Sequence, residues 1–342
     1  MATSDDVAKL AGVSQATVSR VFSNSPRISA ATQERVRAAA AHLGYSPNVI
    51  AQTLKRPYAH TIALGFFPEN GSTLLKLGDS QFYFFMGVLQ AIERESAQLG
   101  FDILLPPRPA HSPHEYVQTL QARKVAGAIM VALHMNDQRI QAMLNGTIPT
   151  VFVDVAPQGP HITYVASDHM GGSRQATEHL LQLGHRRIAF FGGHQTSLSG
   201  TQRFLGYHQA LESAGIPLDP DLVRPSDFNK ERAHREMLRL LDERQDFTAV
   251  LAASDFVAFG ILRALHERGV RVPEEISLIG FDDIDLCLYV EPHLTTIHQD
   301  AEAIGRGAVE RLIQLISGDM DVGPLILPTH LVARQSTGLA PS

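Results

Sequence analysis

The sequence predicts a small all-α helix-turn-helix head, followed by a larger α/β body of two Rossmann-like lobes. Three observations predict it. The first sixty residues are short amphipathic stretches broken by glycine and proline. Beyond Thr61, short and nearly continuous apolar runs alternate with longer amphipathic ones, as parallel strands do when helices cover both faces. That alternation lasts about 280 residues, which is long for one sheet and suits two lobes.

The head is read helix by helix. Ser4 is expected to cap a helix that turns Val7, Leu10 and Ala11 inward, with Gly12 ending it in a conformation only glycine adopts without strain. Ser14 would cap a second helix, residues 15–22, with Val18, Val21 and Phe22 inward. Asn24-Ser25-Pro26 reads as a loop. Ser29 would open a third helix that buries Val36, Ala39, Ala40 and Leu43 and ends at Gly44. Ser46-Pro47 is a cap followed by proline in the first turn, and 48–56 has room for one or two turns before Pro57.

In the body the expected strands are 61–67, 101–105, 126–133, 150–155, 187–191, 249–253 and 276–281. The expected helices are 84–99, 173–183, 203–214, 231–242, 256–268 and 301–317. The polar stretch 69–80 is longer than a usual strand-to-helix loop; it either shapes a cleft mouth or is a surface loop. The expected domains are 1–46 for the head, 47–59 for a linker and 60–342 for the body. The first lobe is expected at about 60–158 and 296–318, and the second at 159–295 and 319–342.

Charge separates the two parts. The net charge is −6, yet residues 1–60 carry seven basic side chains against three acidic ones. A basic head on an acidic body is expected where only the head approaches phosphates. Hydrophobic residues make up 44% and charged residues 19%, enough for a large core. The single cysteine, Cys287, excludes a disulfide within the chain and suits a reducing cytosol. The acidic start without an apolar stretch is not a secretory signal, and no run is apolar enough to span a membrane, so a cytoplasmic location is expected.

Ala11-Gly12-Val13-Ser14 is the turn a helix-turn-helix needs, and Gln15-Ala16-Thr17 then Ser19-Arg20 give the second helix a polar outer face. Gln15 suits an adenine edge, Ala16 a thymine methyl, and Thr17, Ser19 and Arg20 suit phosphate or base hydrogen bonds. On spacing alone, a capped helical hairpin with a solvated face fits as well.

A longer pattern separates these readings. The run Asp6-Val7-Ala8-Lys9-Leu10-Ala11-Gly12-Val13-Ser14-Gln15-Ala16-Thr17-Val18-Ser19-Arg20-Val21 resembles the signature of the lactose-repressor (LacI/GalR) family. So do Pro26-Arg27-Ile28-Ser29, Leu43-Gly44-Tyr45-Ser46-Pro47-Asn48 and Ala51-Gln52-Thr53-Leu54. Further matches are 178–189, Ile276-Ser277-Leu278-Ile279-Gly280-Phe281-Asp282-Asp283 and Leu294-Thr295-Thr296-Ile297. The resemblance implies a transcriptional repressor on palindromic double-stranded operator DNA, controlled by a sugar or related metabolite. It implies contacts to DNA from Thr3, Ser14, Gln15, Ala16, Thr17, Ser19, Arg20, Asn24 and Ser29. It also implies a hinge helix from Pro47 to Lys55, in which Asn48, Ala51 and Gln52 face DNA and Leu54 wedges into the minor groove. Ser23 and Gln52-Thr53 depart from the family's usual Asn and Arg-Ser.

By the same resemblance the body is similar to periplasmic sugar-binding proteins, with two lobes joined by three crossovers. A cleft for a hydroxyl-rich ligand needs ionised hydrogen-bonding groups and an aromatic plane. Arg203 opens a helix after a Ser/Thr-rich loop, and Asp282 follows an apolar strand at the end where open α/β sheets hold ligands. The resemblance adds Tyr83, Phe84, Phe85, Asp154, Ser199, Phe228, Ser254 and Gln299 to the effector positions. Phe84 and Phe228 fit a plain core role equally well, and Ser254 stands where the family often has Asn. Phe259 and Val290 are implied at the face of a homodimer, or belong to the core.

Other classes have less support. Sixteen histidines invite a metal, but no His-Glu-x-x-His or cysteine-rich spacing occurs, and no metal is expected. No dinucleotide fingerprint or phosphate loop follows the first strand, so no cofactor is expected. A hydrolase built on Asp282, Asp283 and Asp285 would lack a nucleophile with its base, and an exported binding protein would need the missing signal.

Overall fold

The computed structural model describes residues 2–22, 27–45, 60–66, 82–106, 112–193, 196–319 and 321–341. It divides into two compact units, 1–59 and 60–342. The expected hinge helix and the stretch 69–80 lie outside the described residues, as do Asn24, Asn48, Ala51, Gln52 and Leu54.

The head has three helices, α1 (Ser4–Ala11), α2 (Gln15–Phe22) and α3 (Ala30–His42). Thr3, not Ser4, caps α1. Its hydroxyl accepts from the Asp6 N–H at 3.3 Å, and the Asp6 carboxylate accepts the Thr3 N–H at 2.8 Å. This reciprocal capping box satisfies two otherwise orphaned donors. Gly12 ends α1 with φ 63°. Leu10, expected inward, is 53% exposed, and Ala8 takes its place. The buried stripe is Val7, Ala8 and Ala11, whose small side chains let α1 lie close to its neighbours. Val18, Val21, Val36, Ala39 and Ala40 complete the core, and Phe22 meets Tyr45 edge-on at 5.9 Å.

The body has two parallel sheets. The first runs β2 (Asp102–Leu104), β1 (Thr61–Phe66), β3 (Gly127–Val131), β4 (Thr150–Val153), β5 (Ile162–Ser167) and β11 (Leu325–Leu327). Helices α4 (Phe82–Gln98) and α11 (Ala301–Ile316) cover one face, and α5 (Pro113–Ala122) with α6 (Gln138–Leu144) the other. The second sheet runs β7 (Val223–Pro225), β6 (Ile188–Gly192), β8 (Ala249–Ala252) and β9 (Ser277–Ile279). It lies between α7 (His169–Gln182) with α8 (Leu198–Ser213) and α9 (Lys230–Glu243) with α10 (Asp255–Glu267). The central strands β3, β4 and β8 are buried throughout, which explains their unbroken apolar runs.

The antiparallel pair β10 (Thr296–His298) and β12 (His330–Val332) accompanies the crossovers. The chain passes between lobes after β5, between β9 and α11, and between β11 and β12. Two expected lobe boundaries therefore move. The strand at 162–167 belongs to the first lobe, because β5 pairs with β4, and so does 325–327, because β11 pairs with β5.

Candidate functional site

In the head, the residues singled out on α2 form a solvent-facing row. Gln15, Ala16, Ser19 and Arg20 are exposed, and Thr17 is half-buried. The row is ordered by local hydrogen bonds. Ser14 accepts the Thr17 N–H at 3.2 Å and shares a hydroxyl hydrogen bond with Thr17 at 2.9 Å. The Gln15 amide donates to the Ser4 hydroxyl at 2.7 Å. Ser29 precedes α3 and pairs with the Thr32 hydroxyl at 2.9 Å. Thr3, Ser14 and Ser29 thus stand at three helix N-termini, where backbone N–H groups favour anions.

In the body, a cleft opens between the lobes. Its walls are built from strand ends. Ala132, Leu133 and His134 follow β3; Val153 ends β4 and Asp154 follows it; Ser197 and Ser199 follow β6; Phe228, Ser254 and Asp282 follow β7, β8 and β9. Phe84 and Phe85 come from α4 and meet edge-on at 5.5 Å. This is the carboxyl edge of both sheets, where side chains from different strands converge. Ala132, Asp154, Phe228 and Asp282 all have positive φ, between 54° and 123°. Such backbone is unfavourable for L-residues and is held only where the surroundings determine it.

Arg203 is the hub. It comes from the first turns of α8 and is almost fully buried. Its guanidinium lies 3.8 Å from the centre of the Phe281 ring and 5.6 Å from that of Phe228. A desolvated cation over an aromatic face gains about 2 kcal/mol. It donates to the Ala253 carbonyl, lies 3.5 Å from Asp282, and donates to His169 Nδ1 at 3.3 Å. Its Nε–H has no partner among the described residues. Gly206, one turn further along α8, lets the helix reach α7: a Cβ there would lie 2.2 Å from the Met170 carbonyl oxygen.

The carboxylates are held unequally. Burial raises Asp282 well above the ordinary range, with Asp255 and Asp154 adding to the effect and Arg203 opposing it. Burial also works against the charge of Asp154, but His169 and Arg203 outweigh it and leave its pKa lowered. Asp255, fully buried under β9, is pushed up to about 6, chiefly by burial. It still accepts from Thr296 Oγ1 at 2.5 Å and from the Ile284 N–H at 3.0 Å.

Eight of the ten residues singled out for the effector line this cleft: Phe84, Phe85, Asp154, Ser199, Arg203, Phe228, Ser254 and Asp282. Two do not. Gln299 lies behind Asp282 and donates to it at 2.7 Å, leaving its own carbonyl oxygen unpartnered. Tyr83 points elsewhere: it stacks on Phe256 of the second lobe at 4.9 Å. The sequence reading missed His134, Ser197 and His169. The signal for His134 and Ser197 was their place in the loops after β3 and β6, whereas His169 had no local signal. Phe259 and Val290 line one open depression on the second lobe, with Leu262, Val270 and Pro292. Both also pack partly against that lobe's core, so the two readings of them coexist. Among the described residues, no group of three or more His, Cys, Asp or Glu could hold a metal. No described helix is long and apolar enough to cross a membrane.

Comparison with known proteins agrees with this architecture. Residues 3–48 match the bacterial regulatory proteins of the lacI family, and residues 177–337 match the periplasmic binding protein-like domain. The chain is 36% identical to the HTH-type transcriptional regulator CelR of Thermobifida fusca, covering 98% of each chain. It is 35% identical to the lactose operon repressor of Escherichia coli, covering 98% of this chain and 91% of that one. Among solved structures, a lac repressor dimer bound to operator and the anti-inducer ONPF superposes with a TM-score of 0.83 at 33% identity, over 98% of this chain and 99% of that one. With that identity sustained across head and body alike, the chain belongs to the lacI family of bacterial regulatory proteins.

Proposed function

We propose that this chain is a cytoplasmic, homodimeric transcriptional repressor whose affinity for a palindromic operator is set by an uncharged, hydroxyl-rich effector in the cleft. One observation carries the reading: an exposed polar recognition helix is joined in one chain to a cleft whose polar groups converge on a buried guanidinium. In the head, Gln15 and Ala16 read base edges, while Arg20, Thr17, Ser19 and the capping hydroxyls hold phosphates. Asn48, Ala51, Gln52 and Leu54 serve the hinge.

Charge supports the class of effector. Among the described residues lining the cleft, Arg203 is the one permanent cation, and Asp282 and Asp154 already compensate it. A phosphorylated ligand would bring charge with no cation left to meet it. Serine hydroxyls, the carboxyls and the Phe84, Phe85 and Phe228 rings suit a sugar or similar polyol. The role is binding and not catalysis. Of the imidazoles at the cleft, His169 has both nitrogens engaged, and His134 pairs through Nδ1 with Thr196 and not with a serine.

The homodimer fits the second lobe's surface, where Tyr289 is 81% and Leu288 50% exposed beside the depression holding Phe259 and Val290. CelR has been solved with cellobiose, and the lac repressor as an operator-bound dimer. The test is selection of genomic duplexes by the purified chain, then a thermal-shift screen of neutral sugars, sugar phosphates and purines. Salt-sensitive selection of a palindrome, released by a neutral sugar, is expected. Failure to select any duplex, or release only by anionic ligands, would overturn the reading.

A further inference from the structure

His169 is completely buried, and its position is unusual. It is the first residue of α7, immediately after the crossover from β5, so it belongs to the second lobe at the point where the chain leaves the first. Its two ring nitrogens face different lobes. Nε2 lies 2.9 Å from Asp154 Oδ1, on the loop after β4 of the first lobe. Nδ1 lies 3.3 Å from the Arg203 guanidinium, on α8 of the second.

The protonation pattern follows from the partners. A guanidinium only donates, so Nδ1 must accept. The single ring proton of a neutral imidazole then sits on Nε2 and donates to the Asp154 carboxylate. A second proton on Nδ1 would face Arg203 directly, and the positive end of α7 would oppose it too. Burial and Arg203 depress the pKa of His169, while Asp154 and Asp168 act the other way. Asp282 and Asp255 also act on Arg203 and favour its charge.

We propose that His169 is the positioning residue that joins the lobes, holding Asp154 of one and Arg203 of the other so that a closed cleft presents both to a ligand. Elsewhere the mouth is bridged by weaker means. The Met135 N–H donates to the Thr196 carbonyl at 2.9 Å, His134 pairs with the Thr196 hydroxyl at 3.0 Å, and Tyr83 stacks on Phe256. Of these contacts only the Asp154–His169 bond is both buried and charge-assisted, the kind roughly twice as strong as a neutral hydrogen bond.

The consequence for an effector rests on the function proposed above; the closure does not, and it is measured without any ligand. Spin labels on Gln121→Cys and Gln209→Cys, exposed positions on opposite lobes, report lobe separation in the full chain, with the buried Cys287 left unreactive. Two variants divide the ring's roles. His169→Gln keeps a donor where Nε2 stands; His169→Asn keeps only an acceptor where Nδ1 stands. The wild type and the Gln variant should share one short distance. The Asn variant should shift toward a longer one, the closed-to-open ratio falling roughly tenfold to a hundredfold. The wild-type distribution should change little between pH 8 and 6, because burial and the facing Arg203 disfavour a second proton on the ring. An Asn variant as closed as the wild type, a Gln variant as open as the Asn one, or opening centred near pH 6.5 would each overturn the proposal.

Discussion

The head and the cleft handle polar groups in opposite ways. In the head, exposed hydroxyls and carboxylates are satisfied close by in the chain, three residues apart for Thr3 with Asp6 and Ser14 with Thr17 and eleven for Ser4 with Gln15. In the cleft, polar groups are buried and satisfied from far along the chain. Arg203 finds His169 34 residues away and Ala253 50 residues away, and Asp255 finds Thr296 41 residues away. A face that must read many duplexes stays wet and shallowly held. A site that must respond to one ligand is assembled from both lobes and kept dry. Substitutions should therefore be costly in the cleft and mild in the head, and the two kinds of damage should not mix.

The largest effect is expected for Arg203→Ala. It would leave Asp154, Asp255 and Asp282 buried without their cation, and removing one partner of a buried pair costs about 3–5 kcal/mol. Urea unfolding should show that loss, and sugar-induced release of DNA should vanish. Operator affinity without ligand should stay within about twofold under conditions where the variant remains folded, since the head has a core of its own and effects at sites without shared partners add. A parallel loss of operator affinity would show that the two regions are not separable.

Asp255, buried near Arg203, offers a pH test. Its folded pKa of about 6 lies above the 3.8 of a free aspartate, so the native state binds the proton more tightly. The stability it contributes is complete below pH 4 and is lost as pH rises through 6, about 3 kcal/mol in all. Asp255→Asn removes this titration. Urea midpoints between pH 4.5 and 7.5 should fall more steeply for the wild type than for the variant. Parallel curves would mean that the carboxyl titrates normally.

The same contrast explains what could be read from sequence. The second and third helices of the head and the Gly12 turn follow from neighbours in the chain, and so did their inward residues. Leu10 was misjudged because a stripe through 7, 8 and 11 and one through 7, 10 and 11 look alike until α2 and α3 choose between them. In the body, most long buried strands announced themselves, but the six-residue β5 did not, and β7, β10, β11 and β12 have three residues each and too little pattern to see. Arg203 and Asp282 were legible from their place beside strand and loop together with the family resemblance. His169 was not, because its importance lies in Asp154 and Arg203, and no local pattern brings those two together.

Smaller effects are expected at the reading face. Gln15→Ala should lose about 1–3 kcal/mol of discrimination at one base pair in each half-site, while Arg20→Ala should weaken all duplexes alike and flatten the salt dependence. Binding to operators varied at single positions separates them. If Gln15→Ala weakened every duplex equally, its amide would be positioning the backbone and not reading a base. Neither change should alter unfolding of the body.

The smallest effect is expected for Thr3→Ala. It deletes the hydroxyl that accepts the Asp6 N–H and pairs with the Asp6 carboxylate. Losing a threonine cap costs about 1 kcal/mol. The damage should stay in the first turn of α1, because Val7, Ala8 and Ala11 still bury against the other two helices. Hydrogen exchange on the full chain would show it as roughly fivefold faster exchange at the Asp6 and Val7 amides, with α7 and α8 unchanged. Faster exchange throughout the head would mean that the cap supports all three helices, and that this face is less locally determined than its hydrogen bonds imply.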